Sequence, residues 1–154
     1  MTGVCSTKNI GLVKSLGADH VIDYTQQDFS LEKNAFHIVY DTVGKRTFKE
    51  CNKCLKEGGQ FISPVLSLKL LLQMLTTSLF PALYKGKKAK FSATGVRPPK
   101  ELRPLLKELL VIIEQGELST LVDKTFKLSE VQAAHEYVDT GRKIGNVVIT
   151  PDTV

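Results

Sequence analysis

The 154-residue chain is short of the residues that announce the simplest functions. Cysteine occurs three times, at Cys5, Cys51 and Cys54, too few and too odd a number for a disulfide scaffold. With no secretory leader legible at the front, that usage predicts a reducing, cytoplasmic setting. Cys51-Asn52-Lys53-Cys54 has a metal-like spacing, yet a zinc site needs about four ligands and no second Cys or His pair is placed to supply them. A redox pair of the thioredoxin type would open a helix; this one falls late in an expected helix, so the cysteines read as packing residues. The histidines are His20, His37 and His135, and none has a Ser-Asp or Cys partner at the spacing of a nucleophile motif. Aromatic residues make up only 7%, and no nucleic-acid-binding module is legible. The formal charge of +5, densest at Lys85, Lys87, Lys88 and Lys90, therefore reads as a solvated basic face, with an anionic small ligand as the alternative. A long hydrophobic run is missing too. The stretch from Val65 to Tyr84 is interrupted by Ser67, Lys69, Gln73 and Pro81, whereas a membrane span needs about 20 mostly apolar residues. It reads as a buried or interface helix.

What is present is an ordinary globular composition, 42% hydrophobic and 24% charged, in a chain long enough for a substantial core. Short β-type runs alternate with helical segments, which implies parallel strands joined by crossover helices. Expected strands are Thr2 to Ser6, His20 to Asp23, Phe36 to Asp41, Gln60 to Ser63 and Ala89 to Thr94. Expected helices cover Asn9 to Leu16, Thr47 to Leu55 (ended by a Gly58-Gly59 turn) and the apolar stretch after Pro64. Past Pro98-Pro99 the rhythm changes. An amphipathic helix over Glu101 to Gln115 is followed by a strand at Leu121 to Lys127. A helix capped by Ser129 with Gln132 comes next, and Gly145 to Thr150 is the last strand. The expectation is an α/β fold, a doubly wound parallel sheet over residues 1–97, with residues 98–154 as an α+β appendage. A dinucleotide fold opens on a strand, a G-x-G-x-x-G turn and a helix. No such glycine pattern occurs, and the first strand already behaves like a second one.

Cys5 to Tyr24 (CSTKNIGLVKSLGADHVIDY) resembles the second strand, helix and third strand of medium-chain dehydrogenases and reductases, in their quinone-reductase and zinc-type alcohol dehydrogenase-like branch. The resemblance continues at Tyr40 to Gly44, at Lys56 to Phe61, and through Val122 to Leu128, Ala133 to His135 and Gly141 to Pro151. It implies a Rossmann-like sheet whose first βα unit and N-terminal catalytic domain are missing. It also implies an oxidoreductase that transfers hydride from a nicotinamide coenzyme to a quinone, enone or carbonyl. The family's zinc ligands, where it has them, fall in the missing domain, so zinc is assigned to no residue.

After the first strand an NAD enzyme places an acidic residue for the ribose hydroxyls. This chain has Ser6, Thr7 and Lys8 instead, two hydroxyls and a cation that suit a 2′-phosphate, so NADP is favoured over NAD. The resemblance adds Lys14 and Tyr24 to that pocket. Asp41, Thr42, Val43 and Gly44 end the strongest strand and are expected at the carboxyl rim of the sheet, where ligands of open α/β folds bind. An ordinary strand-to-helix turn is the alternative. By the same resemblance Ser63 and Pro64 approach the nicotinamide end, as do Lys143 and Gly145. Catalytic residues are not legible. A small-molecule quinone, enone or carbonyl is the expected partner, with a homodimer through the Val65 to Tyr84 helix. A non-catalytic cofactor-binding or dimerisation module is the second reading. A methyltransferase would need its own glycine-rich loop and an acidic residue after the second strand, and neither is visible. Without a central strand, the strands on either side are expected to keep unpaired edges or to be forced together.

Overall fold

The computed structural model describes residues 1–93 and 97–152. By internal contacts the chain divides into Met1–Val96 and Arg97–Val154.

The first unit begins with strand β1 (Thr2–Cys5), a single 3-10 turn (Thr7–Asn9), helix α1 (Ile10–Ser15) and strand β2 (His20–Asp23). A second 3-10 turn (Phe29–Leu31) leads to strand β3 (Phe36–Tyr40), the four-residue helix α2 (Phe48–Cys51), strand β4 (Leu55–Ser63), helix α3 (Leu68–Leu79) and strand β5 (Lys88–Phe91). Every strand pair is parallel, as the alternation of short apolar runs with helices requires. β1 pairs with β2, and β3, β4 and β5 form a second sheet in that order. Among the described residues β1 and β3 do not pair, so each keeps an open edge.

The core belongs to the three-stranded sheet. Val39, Phe61 and Ala89 lie side by side in register and are all buried. Phe48 from α2 and Leu70 from α3 join them in one cluster, with Phe29, Cys51, Cys54 and Leu55. Phe48 meets Tyr84 edge to face at 5.6 Å. The buried Thr77 hydroxyl accepts from Ala89 N–H at 3.2 Å, tying α3 to the outer strand. The opposite face is bare: Ile38 and Tyr40, one step either side of Val39, are each 58% exposed.

Two elements differ from the sequence expectation. The helix expected over Thr47 to Leu55 stops at Cys51, and β4 starts at Leu55 and runs through both glycines to Ser63. The reason is a bulge. Pairing jumps from Phe36–Leu55 to Ile38–Gln60, so two steps on β3 span five on β4. Gly58 has φ +71°, and a Cβ on Gly59 would lie 2.7 Å from the Lys56 carbonyl oxygen. The glycines bend a strand instead of ending a helix. Helix α3 is also shorter than the apolar stretch, because Ser67 caps it at Leu70 N–H (3.2 Å) and Pro81 follows its end. In the expected strand at Ala89 to Thr94, Thr94 lies outside the described residues.

The second unit holds helix α4 (Pro99–Glu114), strand β6 (Val122–Lys127), a 3-10 turn (Leu128–Glu130), helix α5 (Val131–Asp139) and strand β7 (Asn146–Thr150), with β6 parallel to β7. Only Ala134 is buried among its described residues. Ser129 does not cap the helix. Its hydroxyl and N–H both donate to the Asp152 carboxylate, at 2.9 and 3.0 Å, while Glu130 accepts from Lys127 N–H at 2.8 Å.

Candidate functional site

Parallel strands carry their ligand-facing residues at the carboxyl ends, and in the first unit those ends hold two groups of side chains. The first lies where β1 and β2 finish. Cys5 pairs with Asp23, so the residues that follow, Ser6-Thr7-Lys8 and Tyr24-Thr25, leave the sheet side by side. The Thr7 hydroxyl donates to Asp23 Oδ2 at 2.5 Å, and Thr25 donates to Oδ1 through both its hydroxyl (2.7 Å) and its N–H (2.9 Å). These bonds, the one from Thr7 first, hold the Asp23 carboxyl below the usual carboxylate range. The Thr7 proton is therefore committed to a carboxylate. Ser6 caps nothing with its side chain, and Lys8 and Tyr24 are exposed. Among the described residues the ion pairs do not include Lys8. Lys14 sits apart, in the last turn of α1 and exposed, beyond the 3-10 turn that follows the rim.

The second group lies at the ends of β3 and β4. The Asp41 carboxylate is turned into its own loop: Oδ1 accepts from Val43 N–H (3.2 Å) and Gly44 N–H (2.9 Å), and Oδ2 from Arg46 N–H (2.8 Å). Three amide donors on one carboxylate fix the path of Thr42, Val43 and Gly44. Gly44 has φ +75°, and a Cβ there would sit 2.9 Å from the Val65 side chain, so the loops after β3 and β4 meet at that glycine. Ser63 is buried and its hydroxyl accepts from Val65 N–H at 3.2 Å, across the half-buried Pro64. A small cavity of about 40 Å³ opens here, with Gly44, Arg46, Thr47, Ser63 and Val65 in its wall.

Arg46 reaches from the second group to the turn that follows β2. Its guanidinium pairs with Asp28, beyond β2, at 3.0 Å, and its carbon stands 5.4 Å above the centre of the Phe29 ring. The Asp28 carboxyl is held low, first by the Ser30 N–H and hydroxyl and further by Arg46. Sequence reasoning missed Arg46, Asp23 and Asp28. The signal for the two aspartates was local: an Asp two residues before a Thr or Ser is poised to accept that residue's N–H. Nothing in the sequence announces that Arg46 reaches Asp28.

Lys143 and Gly145 belong to the second unit, where the Lys143 ammonium donates to the Gly145 carbonyl at 3.2 Å. The Asp123 carboxylate binds the same loop, accepting from Ile144 N–H (2.9 Å) and from the Tyr137 hydroxyl (2.7 Å).

Comparison with known proteins agrees with this architecture. Over 148 residues the chain is 32% identical to the 2-methylene-furan-3-one reductase of Solanum lycopersicum, covering 95% of this chain and 32% of that protein. It is 29% identical over 153 residues to the NADPH-dependent alkenal/one oxidoreductase, chloroplastic, of Arabidopsis thaliana, covering 98% and 33%. The quinone oxidoreductase from Coxiella burnetii superposes with a TM-score of 0.71 at 27% identity, over 96% of this chain and 44% of that one. A 2-haloacrylate reductase superposes with a TM-score of 0.74 at 24% identity, over 99% and 50%. The chain thus spans about a third of the length of these curated relatives and no more than half of these solved structures. Its fold is the Rossmann-like parallel α/β fold of those neighbours.

The family that matches residues 16–149 is described as zinc-binding dehydrogenase. Among the described residues no group of three or more His, Cys, Asp or Glu could hold a metal ion. The match spans most of the chain. On that basis the chain belongs to the zinc-binding dehydrogenase family, in its quinone oxidoreductase-like branch.

Proposed function

We propose that this chain supplies one wall of an NADPH site in an oxidoreductase that reduces a quinone, an enone or another carbonyl compound. The observation that carries the reading is the end of β1, where Ser6, Lys8 and Tyr24 present a hydroxyl, an ammonium and a phenol beside a carboxylate already satisfied by Thr7 and Thr25. A phosphate monoester on the ribose suits that donor set, and Lys8 supplies the charge. Thr7 acts one step back, holding Asp23 away from the anion. Asp41 likewise shapes the Thr42–Gly44 loop against which a flat ring could lie. Ser63 and Pro64 extend that wall. Lys14 contributes to the local positive field at longer range, because it stands in the last turn of α1. Lys143 and Gly145 are proposed for the nicotinamide end, with residues 98–154 as the part of the chain that returns toward a catalytic domain. When bound, the coenzyme supplies the hydride; the chain's residues supply position and electrostatics. The Solanum, Arabidopsis and Coxiella relatives, a 2-methylene-furan-3-one reductase, an alkenal/one oxidoreductase and a quinone oxidoreductase, support the substrate class. No helix among the described residues is long and apolar enough to cross a membrane. The sparse, odd cysteine count supports a reducing compartment such as the cytoplasm.

Titrating NADPH and NADH into the purified chain tests this. NADPH is expected to bind about tenfold or more tightly, the size of one charge-assisted hydrogen bond of ~1.5–3 kcal/mol. Lys8→Ala should erase that preference. Equal binding of the two coenzymes would remove the proposal.

A second reading is a dimerisation module. Leu68, Leu71, Leu72, Leu75 and Leu79 form an exposed stripe on α3, the spacing of a helix that meets a partner. A chain that stays monomeric at high concentration in size-exclusion chromatography rules this reading out.

A further inference from the structure

The Cys51-Asn52-Lys53-Cys54 segment lies at the opposite end of β4 from the rim, and the proposed function makes no use of it. It forms one tight turn between α2 and β4. Cys54 N–H donates to the Cys51 carbonyl at 3.1 Å, the i to i+3 bond of a β-turn, and the Cys54 thiol reaches the same oxygen at 3.1 Å. A β-turn brings its end Cα atoms to within about 7 Å, and disulfides span roughly 4.4–6.8 Å. Both side chains are 0% exposed and belong to the same core cluster. The surroundings are unusual for plain packing cysteines. The buried Lys87 ammonium donates to the Asn52 carbonyl at 2.6 Å, which brings a cation to the turn. Asn52 Oδ1 is buried with no hydrogen-bond partner among the described residues, a cost that weakens the closed turn.

We propose that Cys51 and Cys54 are an oxidation site, a dithiol that closes to a disulfide by exchange with a small-molecule disulfide of the glutathione class. Cys54 attacks first, because it adjoins the exposed Lys53, where the turn opens, and lies in the turn to which Lys87 brings a cation. The Cys54 thiolate displaces one thiolate from the reagent and forms a mixed disulfide. Cys51 then gives up its proton to solvent, attacks the Cys54 sulfur and expels the second thiolate. Two protein thiols and one reagent disulfide become one protein disulfide and two reagent thiols. Access comes through opening of the turn, whose outer residue Lys53 is exposed. The turn also connects to the rim, since Cys51 N–H donates to the Thr47 carbonyl at 3.1 Å and Thr47 lines the cavity beside Gly44. Cys5 is the internal control: it is buried without a thiol neighbour, and burial followed by the Asp23 charge pushes it up.

The test is to equilibrate the reduced full chain with oxidised glutathione and read the intact mass and a tryptic map. Trypsin cuts at Lys49, Lys53 and Lys56, so a closed ring joins Glu50–Lys53 to Cys54–Lys56 and is read directly. The expected product is lighter by two hydrogens, with those two peptides linked. In Cys51→Ser, glutathione should remain attached to Cys54. The proposal is overturned if Cys51 and Cys54 both stay free, if the native chain keeps a stable adduct on Cys54 without closing, or if Cys54 in the variant takes up no glutathione.

Discussion

The sheet of β3, β4 and β5 and the ribbon of β1 and β2 have similar strand chemistry but very different surroundings. In the sheet, Val39, Phe61 and Ala89 form a buried row under Phe48 and Leu70. In the ribbon only Cys5 is buried, and Val4, its neighbour, is 43% exposed. Parallel strands are written apolar on both faces because both are normally covered. Here Val4, Ile38 and Tyr40 are left bare among the described residues, on strands of a type that is normally covered on both faces. Burial therefore concentrates stability in one region and leaves the proposed coenzyme-reading residues on the other.

Truncation should expose that contrast most strongly. Phe61→Ala is expected to cost about 3–5 kcal/mol, against a typical total of about 5–15 kcal/mol, while Val4→Ala should stay within ~1 kcal/mol. Urea unfolding of both variants measures the gap, and comparable losses would place the ribbon in the core after all. Asp41→Ala strands three amide donors in the loop after β3 and should cost about 1–3 kcal/mol, with faster hydrogen exchange at Val43, Gly44 and Arg46. Unchanged exchange there would mean that the loop holds itself without the carboxylate.

The smallest effect belongs to the ribbon's own carboxylate. Asp23 has a depressed pKa in the fold, so its support for the β1–β2 end is present above the ordinary aspartate value of about 3.9 and is lost as pH falls through the lower folded value. Asp23→Asn should flatten the acid dependence of the Thr7 and Thr25 signals in an NMR titration. An unaltered acid transition would assign the dependence to Asp28 or another group.

Most element positions could be read in advance, because short apolar runs between turn residues have few other readings. β2 at His20–Asp23 agrees residue for residue with its pattern. Failures came where a rule of local chemistry was outweighed by pairing. Gly58 and Gly59 looked like a helix stop and are a strand bulge, since β3 offers β4 a partner that no local pattern reveals. Ser129 looked like an N-cap, but Asp152, 23 residues on, takes its hydroxyl. At the rim the residue types were legible, while their commitments were not. Neither the binding of Thr7 to Asp23 nor the reach of Arg46 to Asp28 follows from spacing alone, because each is a contact between loops brought together by the fold.

Most direct is an NMR comparison of 2′,5′-ADP with 5′-AMP, which differ by the phosphate that Lys8 is proposed to read and need no pyrophosphate cradle. The account predicts shifts centred on Ser6, Thr7, Lys8 and Tyr24, saturating at a lower concentration of 2′,5′-ADP. Identical affinities, or shifts that bypass the end of β1, would contradict it.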